Sequence, residues 1–394
     1  MQDRNTIGSG MSNQPVLLMT ARDPATAYAF LNLFKRQTLY SKFRVIVVAQ
    51  SPAYEILYNS NELIDRKLQK FPVYSRLEIA LMECRELIDK YSVELILTGI
   101  SGPDCGIDEA VLSIAQDRNI PRYALQSYWG DLNLRLSGRP ETIFVIDEEA
   151  AELTINRSSC KTVIVGSLKH QKYSQTDISK LRKEFRSYAG LDKNEVLIGF
   201  FGQPLDFITG YCETVTGLAN ELSELNEEFK LLYRPHPKET AQLREWTLRI
   251  FEKSGLEVIL DKNEEVEAAL CACDVVLSAF STCGYDAQQL NRVSEIPLNV
   301  TVYLFFNGEL KNWFREYTKL KDIPLVNSGL AFQVNSVDEI NNVINKALKS
   351  EIKHEIWKNI HNTILDSKYA TEKIINTIYD DWLIMENKKF YKNS

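Results

Sequence analysis

The sequence predicts an α/β protein made of two successive domains, each built on a parallel β-sheet. Its length of 394 residues exceeds what a single hydrophobic core usually serves. Short apolar strands alternate with segments of helical periodicity along most of the chain, which is typical of parallel sheets with helical crossovers. A polar helical stretch and a charged turn, together residues 171–195, interrupt this alternation and divide it into two series.

The first series contains six predicted strands, and so does the second. Those of the first are Val16–Thr20, Arg44–Ala49, Leu95–Gly99, Arg122–Leu125, Ile143–Ile146 and Thr162–Val165. Those of the second are Val196–Phe201, Phe229–Tyr233, Glu257–Leu260, Asp274–Ser278, Pro297–Leu304 and Leu325–Val326. Such βα series predict Rossmann-like sheets with right-handed crossovers.

The domain boundaries follow from this pattern. We expect an N-terminal Rossmann-like domain over residues 15–170 and a helical linker over 171–195. A second Rossmann-like domain is expected over 196–350, followed by C-terminal helices over 351–391. The last helix carries apolar residues at helical spacing, so we expect it to pack back toward the first domain.

Composition and charge restrict the function classes. Hydrophobic residues make up 44% of the chain and charged residues 25%, as in soluble globular proteins. A net charge of −7 argues against a nucleic-acid-binding surface. No apolar stretch approaches the roughly 20 residues of a membrane span, and the polar start resembles no secretion signal, so we expect a cytoplasmic protein. The basic tail 387–394 is expected to be solvated, with peripheral membrane contact as the less favoured alternative.

The seven cysteines indicate free thiols rather than a metal site. Their number is odd, and no Cys-x-x-Cys pair occurs. Structural zinc needs about four ligands at regular spacing. We therefore expect neither a metal nor a cofactor.

The most informative segment ends the second strand of the second series. The sequence Arg234-Pro235-His236-Pro237-Lys238 follows the buried-type strand Phe229–Tyr233. Its two prolines cannot continue a β-ladder, so the strand must stop there. Ligands of open α/β sheets bind beyond the carboxyl ends of strands, and cations at such a place suit a phosphate.

A second candidate turn follows the strand Asp274–Ser278. Ser281 or Thr282 is a good N-cap for the next helix, and Gly284 would let the backbone approach a ligand closely. The amide groups and dipole of a helix start attract anions. Ordinary helix capping explains the same residues, but the Arg-Pro-His-Pro strand of the same predicted sheet favours the anion site.

Other loops at the carboxyl ends of strands, in both predicted domains, add weaker candidates. Gly202 and Gln203 follow the first strand of the second domain, where a simple tight turn is an equal alternative. In the first domain, three strand ends carry one aspartate each, and any of them could serve as a general base or merely as a turn former. They are Asp23, Asp104 and Asp131, with Asp104 favoured for its flanking glycines and Trp129 as an aromatic neighbour on the acceptor side.

With these motifs, the chain resembles glycosyltransferases of the GT-B architecture, which have two Rossmann-like domains facing across a cleft. It is most similar to the bacterial capsule and lipopolysaccharide type with a His-Pro motif, including sialyl-, polysialyl- and Kdo-transferases. His236-Pro237 and Ser281-Thr282 match the two motifs with which these families bind the donor's phosphate. Sialyltransferases carry a pair of acidic residues followed by glycine in the first domain. This chain lacks that triplet in the corresponding loop, and Asp104-Cys105-Gly106 is the nearest match.

The resemblance implies an inverting transfer of a sugar from a nucleotide donor, CMP- or UDP-linked, to a glycan or another hydroxyl acceptor. No paired-carboxylate metal motif stands out in the sequence, so we expect the transfer to be metal-independent. Arg234, His236, Pro237 and Lys238 would bind the donor with the Ser281 turn, and Asp104 would be the catalytic base. Three alternatives stay open: a nucleotide-sugar-binding protein without turnover, a UDP-sugar 2-epimerase, and a glycerophosphotransferase of similar layout.

Overall fold

A computed structural model describes residues 14–60, 62, 68–74, 76–102, 104–192, 194–263 and 265–393. The polar start of the chain and Ser394 lie outside these ranges. The contacts divide the protein into two compact units. Unit 1 comprises the residues up to Lys169 and those from Tyr369 onward, and unit 2 comprises His170–Lys368.

Unit 1 contains a parallel sheet whose described strands follow the order β3-β2-β1-β4-β5-β6-β7. The strands are β1 Val16–Ala21, β2 Arg44–Ala49, β3 Leu68–Lys70, β4 Leu95–Gly99, β5 Arg122–Leu125, β6 Thr142–Val145 and β7 Lys161–Ile164. Its first helices are α1 Pro24–Phe34, α2 Gln37–Lys42, α3 Ala53–Tyr58, α4 Leu77–Tyr91, α5 Ile107–Asp117 and α6 Glu148–Ile155.

Unit 2 contains a second parallel sheet, with described strands in the order β10-β9-β8-β11-β12-β13. They are β8 Val196–Phe201, β9 Phe229–Arg234, β10 Val258–Leu260, β11 Val275–Ser278, β12 Val300–Leu304 and β13 Phe332–Val334. The helices are α7 Ile178–Tyr188, α8 Thr209–Ser223, α9 Ala241–Lys253, α10 Glu267–Ala272, α11 Cys283–Val293, α12 Gly308–Thr318, α13 Ile340–Leu348 and α14 Ser350–Thr363.

The sheet of unit 1 has the pattern of a layer that is covered on each face. In β1, Leu17 and Met19 enter one apolar cluster, whereas Leu18 enters the cluster on the opposite face. Alternate residues of a strand point to opposite faces, so a strand that is apolar throughout is buried on both. The α/β fold predicted from the alternation of strands and helices is confirmed.

The last helix, α15 Ala370–Asn393, belongs to unit 1. Its residues Ile374, Ile375 and Ile378 are buried in the cluster that contains Leu17, and Tyr123 Oη of β5 donates to Asp381 Oδ2 at 3.0 Å. α14, in contrast, lies in unit 2. The chain segment from 351 to 391 is therefore shared between the two units.

Three local predictions differ from the structure. The strand expected at Leu325–Val326 is wrong, because these residues form a turn in which Leu325 has a φ of 77°. The edge strands β3 and β13 were not predicted, since each has only three residues with a polar glutamine at the centre. Within the polar helical stretch expected in residues 171–195, a regular α-helix begins only at α7, where Asp177 accepts a hydrogen bond from the Lys180 amide.

Candidate functional site

Three neighbouring strands of unit 2 place the predicted donor-side residues at one edge of the sheet. β8 lies between β9 and β11, and all three run parallel. Their carboxyl ends therefore lie at the same edge. The turns after β9 and β11 are two strand spacings apart, about 10 Å.

The imidazole of His236 is a neutral hydrogen-bond donor. Its Nδ1 accepts the Lys238 amide at 3.0 Å, so the neutral ring carries its proton on Nε2. Partial burial, and then the nearby Lys238 charge, lower the pKa of His236. The half-buried ring is therefore uncharged at neutral pH and offers an N–H group rather than a positive charge.

Arg234 carries less available charge than the sequence predicts. Its Nη1 is hydrogen-bonded to Oδ2 of Asp261, a buried carboxylate just after β10. This ion pair balances most of the guanidinium charge at the strand end. Pro237 and Lys238 are exposed, which leaves Lys238 as the more accessible cation of the segment.

Glu239 organises this turn and was not predicted. Its Oε1 accepts the His236 amide at 2.9 Å, and its Oε2 accepts the Tyr233 hydroxyl at 2.5 Å. Burial raises the pKa of Glu239. The sequence did contain a pattern that could have predicted this role: an acidic residue three positions after His236, the spacing at which a side chain can accept a backbone amide.

A glycine is required at position 202 by packing within the protein rather than by the approach of a ligand. A Cβ atom at this position would lie 2.0 Å from Glu239 Oε1. The glycine therefore makes room for the carboxylate that holds the His236 turn.

Gln203 connects the loops after β8 and β11. Its backbone amide donates to Tyr211 Oη at 2.8 Å, and its side-chain Oε1 accepts the backbone amide of Phe280 at 2.9 Å. Since Phe280 precedes Ser281, this side chain fixes the position of the hydroxyl-rich turn.

The turn before α11 uses serine hydroxyls as backbone acceptors. Ser278 Oγ accepts the Ser281 amide and Ser281 Oγ accepts the Cys283 amide, both at 3.2 Å. Thr282 occupies the N-cap position with an exposed side chain that makes no capping hydrogen bond. The start of an eleven-residue helix, with its dipole, lies at the sheet edge behind this turn.

Gly284 corrects a prediction. A Cβ atom there would lie 2.2 Å from Tyr303 Oη and 2.8 Å from Thr301 Cγ2, both on β12. The residue is buried, so its missing side chain permits close packing of α11 on β12 rather than the approach of a ligand.

Unit 1 carries a group of carboxyls at the ends of β1, β4 and β5. Asp23 caps α1, accepting the Thr26 amide at 3.0 Å, and also accepts a hydrogen bond from Ser101 Oγ. Asp131 is mostly buried, and this burial, together with the charge of Asp23, raises its pKa to about 6. Two of the three predicted aspartates therefore interact electrostatically.

Asp104, the favoured base, is exposed. The structure uses its backbone: the Asp104 carbonyl accepts Arg22 Nη2 at 2.6 Å and Asn133 Nδ2 at 2.8 Å. These contacts fix the loop that carries Asp104.

Two buried acids, Asp108 and Glu109, were missed. Asp108 accepts Thr20 Oγ1 at 2.6 Å and lies 3.1 Å from Ser101 Oγ, and burial with the charge of Glu109 raises its pKa to about 8. Ser101 has one hydroxyl proton but contacts both Asp23 and Asp108. A proton on one of these carboxyls satisfies both contacts, consistent with the raised pKa.

Glu109 supports the same loop. It accepts the Gly106 amide at 2.7 Å and Asn133 Nδ2 at 3.0 Å, and burial raises its pKa. In the sequence these acids occupy the first turn of a helix, where acidic residues are common, so only their burial distinguishes them.

Trp129 is not the acceptor-side residue that the sequence suggests. Its indole is 4% exposed, and Nε1 donates to Asp147 Oδ1 and Oδ2 at 3.1 and 3.0 Å. A ring buried in this way supports the loop after β5 and offers no face to a substrate.

Two findings concern the whole described chain. None of its helices is both long and apolar enough to cross a membrane. Within the described ranges, no three His, Cys, Asp or Glu side chains converge as ligands of a metal would.

Comparison with known proteins identifies the architecture. No family model and no curated protein matches the chain. Solved structures do match it over both units: a UDP-GlcNAc 2-epimerase from Neisseria meningitidis bound to UDP-GlcNAc superposes with a TM-score of 0.61 at 14% identity, covering 92% of this chain and 99% of the other. The fold is GT-B.

Two further solved structures show the same fold. MurG from Acinetobacter baumannii has a TM-score of 0.61 at 12% identity, covering 93% of this chain and all of that one, 100%. A glycosyltransferase from Rickettsia africae has a TM-score of 0.62 at 12% identity, covering 94% and 99%. At such identities the likeness establishes the fold alone.

Proposed function

We propose that this protein is a glycosyltransferase that moves a sugar from a nucleotide-activated donor, CMP- or UDP-linked, to a hydroxyl of a glycan or another acceptor. The reaction is metal-independent and inverting. The observation that carries the proposal is the arrangement at the β9 and β11 ends, where a neutral imidazole N–H and the start of α11 lie at the same edge of the sheet, and Gln203 fixes the turn before that helix. Neighbours of the same fold, among them MurG and a glycosyltransferase, support it.

The donor's phosphate groups would lie between His236 and the turn at Ser281–Thr282. Negative charge develops on the departing nucleotide as the glycosidic bond breaks. Preorganised N–H donors and a helix dipole stabilise that charge without moving during the reaction. Lys238 adds an exposed cation, whereas the charge of Arg234 is largely balanced by Asp261.

The acceptor hydroxyl needs a base, and unit 1 offers Asp131 in preference to Asp104. A base is most effective when its pKa lies near the working pH. Burial brings the pKa of Asp131 to about 6. Asp23 holds that pKa up by its charge while its own oxygens are engaged by Thr26 and Ser101.

A panel of CMP-, UDP-, GDP- and CDP-linked donors tests the proposal by thermal shift and by turnover. We expect one nucleotide to stabilise the protein and its sugar to be transferred or slowly hydrolysed. His236→Ala should lower turnover by about tenfold or more with an unchanged melting temperature. His354→Ala, an exposed histidine on α14, is the matched control. Undiminished turnover of His236→Ala would refute the donor-site assignment.

A UDP-sugar 2-epimerase is the second candidate, favoured by the buried carboxyls of unit 1. Asp131, with a pKa of about 6, suits a base of such a reaction, whereas the fully buried Asp108, with a pKa of about 8, can act only through its neighbours Thr20 and Ser101. An epimerase forms its product from the donor alone. NMR of UDP-GlcNAc incubated with the protein and no acceptor distinguishes the two reactions.

The same panel separates the remaining alternatives. Stabilisation by a nucleotide with no turnover of any donor identifies a binding protein. Turnover of CDP-glycerol, but of no nucleotide sugar, identifies a glycerophosphotransferase.

A further inference from the structure

Ser101 lies between two carboxyls of unit 1, those of Asp23 and Asp108. Its Oγ donates to Asp23 Oδ2 and lies 3.1 Å from Asp108 Oδ2. The other oxygen of Asp108, Oδ1, accepts Thr20 Oγ1 at 2.6 Å. Thr20, Ser101 and Asp108 are all buried, so bulk water competes little for these hydrogen bonds. The arrangement therefore depends on where the protons are.

Asp108 is the carboxyl of this pair that carries a proton at neutral pH. Ser101 has one hydroxyl proton and gives it to Asp23, so its contact with Asp108 Oδ2 needs a proton on that oxygen. Asp23 also accepts the Thr26 amide and Thr26 Oγ1, both at 3.0 Å, at the start of α1, and such donors favour an ionised carboxylate. Burial raises the pKa of Asp108 to about 8. The neutral Asp108 carboxyl can therefore donate to Ser101 Oγ.

The backbone carbonyl of Ser101 connects this cluster to the loop that carries Asp131. It accepts Asn133 Nδ2 at 2.7 Å and Arg22 Nη2 at 3.0 Å. Asn133 lies two residues after Asp131, in the loop after β5. Gln126 Nε2, at the start of that loop, donates to the Asp131 carbonyl at 2.8 Å. A displacement of Ser101 therefore reaches the loop of Asp131 through a single side chain, that of Asn133.

Among the described residues, the charged and titratable groups that face Asp108 come from three parts of unit 1. They are Arg22 and Asp23 after β1, Glu109 on α5 and Cys84 on α4. Arg22 Nη2 lies 3.4 Å from Glu109 Oε1. Burial raises the pKa of Cys84 to about 12, so that thiol is uncharged. Two carboxyls and one guanidinium thus surround Asp108, and a negative charge on it is costly.

We propose that Asp108, through its proton, positions the proposed base Asp131. The neutral carboxyl donates to Ser101 Oγ, Ser101 donates to Asp23, and the Ser101 carbonyl holds Asn133. Once Asp108 is ionised, the single Ser101 proton must serve two carboxylates whose like charges repel each other. The loop after β5 then loses its fixed support, and sugar transfer declines.

Asp108 is a positioning residue rather than a catalytic residue, because a side chain with no exposed surface cannot touch a substrate. The inference rests on the proposed function for the role of Asp131 as base. The hydrogen-bonded connection from Asp108 to the loop after β5 does not require turnover.

The rate of sugar transfer should therefore have a maximum between about pH 6 and about pH 8. The pKa of Asp131, raised by burial to about 6, sets the rising limb. The pKa of Asp108, raised to about 8, sets the declining limb. A residue that merely packs α5 against the sheet would produce no decline at that pH.

Asp108→Asn tests the declining limb. Asparagine offers an acceptor to Thr20 and an N–H donor to Ser101 at every pH. Transfer by this variant should show no decline above pH 8. Asp108→Ala removes both contacts and should lower transfer by about tenfold or more, a loss that asparagine restores.

Asp117→Asn is the matched control, since it removes an exposed carboxyl at the other end of the same helix and should keep the wild-type profile. An alkaline decline in Asp108→Asn equal to that of wild type would overturn the proposal.

A second measurement on the full chain needs no donor. Amide hydrogen exchange of residues 126–133, corrected for the intrinsic effect of pH, is compared at pH 7 and pH 9, with the strand β8 of unit 2 as the internal reference. Wild type should lose protection of the loop at pH 9 by about fivefold or more, and Asp108→Asn should keep it. Ser101→Ala should lose it already at pH 7. Equal protection of the wild-type loop at both pH values would overturn the proposal.

The two measurements separate this inference from the proposed function. If no donor is turned over while the loop loosens at pH 9 in wild type but not in Asp108→Asn, the connection to the loop of Asp131 stands and the proposed function fails. If a sugar is transferred with no alkaline decline in wild type, the proposed function stands and the role of Asp108 is refuted.

Discussion

The carboxylate of Glu239 occupies the space that a side chain at Gly202 would fill. A Cβ atom on Gly202 would lie 2.0 Å from Glu239 Oε1, the same oxygen that accepts the His236 amide. The end of β8 and the turn after β9 are thus shaped by one contact. A residue with no side chain and a buried acid together determine where the imidazole lies.

Gly202→Ala should destabilise unit 2 by about 1–3 kcal/mol, because Glu239 must move and leave the Tyr233 hydroxyl or the His236 amide without its partner. Urea unfolding measures this free energy. Gly308→Ala is the control, since a Cβ atom there has nothing within 4 Å. Equal stability of the two variants would contradict the role given to Gly202.

Asp108→Asn should flatten the pH dependence of stability. Folding raises the pKa of Asp108 from 3.8 to about 8, so the native state binds a proton that the unfolded chain releases. The contribution of Asp108 to the free energy of unfolding is therefore lost as the pH rises from about 4 to about 8, by at most about 1.4 kcal/mol per pH unit.

Urea unfolding of wild type and Asp108→Asn at pH 5, 6.5 and 8 tests this sign. The variant should gain stability relative to wild type toward pH 8. Asp104→Asn removes an exposed carboxyl of the preceding loop and serves as the control. A wild-type slope in Asp108→Asn would show that Asp108 is already ionised at pH 5.

Trp129→Phe should cost about 1–3 kcal/mol of unfolding free energy. The change keeps a ring but removes the donor that both oxygens of the buried Asp147 accept. Trp246→Phe, at a half-buried tryptophan of α9, should cost less. Since Trp129 is buried, nucleotide and glycan binding should not change, and a selective loss of glycan binding would restore it as a substrate contact.

Asp131→Asn should lower sugar transfer by about a hundredfold while sparing the thermal shift given by the nucleotide. In the wild-type protein, the rate of sugar transfer should increase with pH through an apparent pKa of about 6, the value to which burial raises the pKa of Asp131. Asp104→Asn should transfer at close to the wild-type rate. A larger loss of transfer in Asp104→Asn than in Asp131→Asn would instead assign the role of base to Asp104.

The predicted strands of the sheet centres were confirmed because their signal is local. A run of four consecutive apolar residues, as in Val16–Met19, must be buried on both faces, and the prolines after Arg234 must end a strand. The errors arose where the local signal is short. The three-residue edge strands β3 and β13 have a polar glutamine at the centre and carry too little pattern to recognise, whereas the equally short but wholly apolar β10 was recognised. The apolar pair Leu325–Val326 is equally compatible with a turn.

The amino-acid sequence by itself determined the two α/β units and the strand end at which an imidazole and a helix start would lie. Tertiary structure decided the chemistry of each group there. It paired Arg234 with Asp261, set the tautomer of His236 through the Lys238 amide, and buried Asp108 where its pKa rises. The physical reason is that strand and helix patterns depend on neighbours along the chain, whereas charge, protonation and exposure depend on neighbours in space.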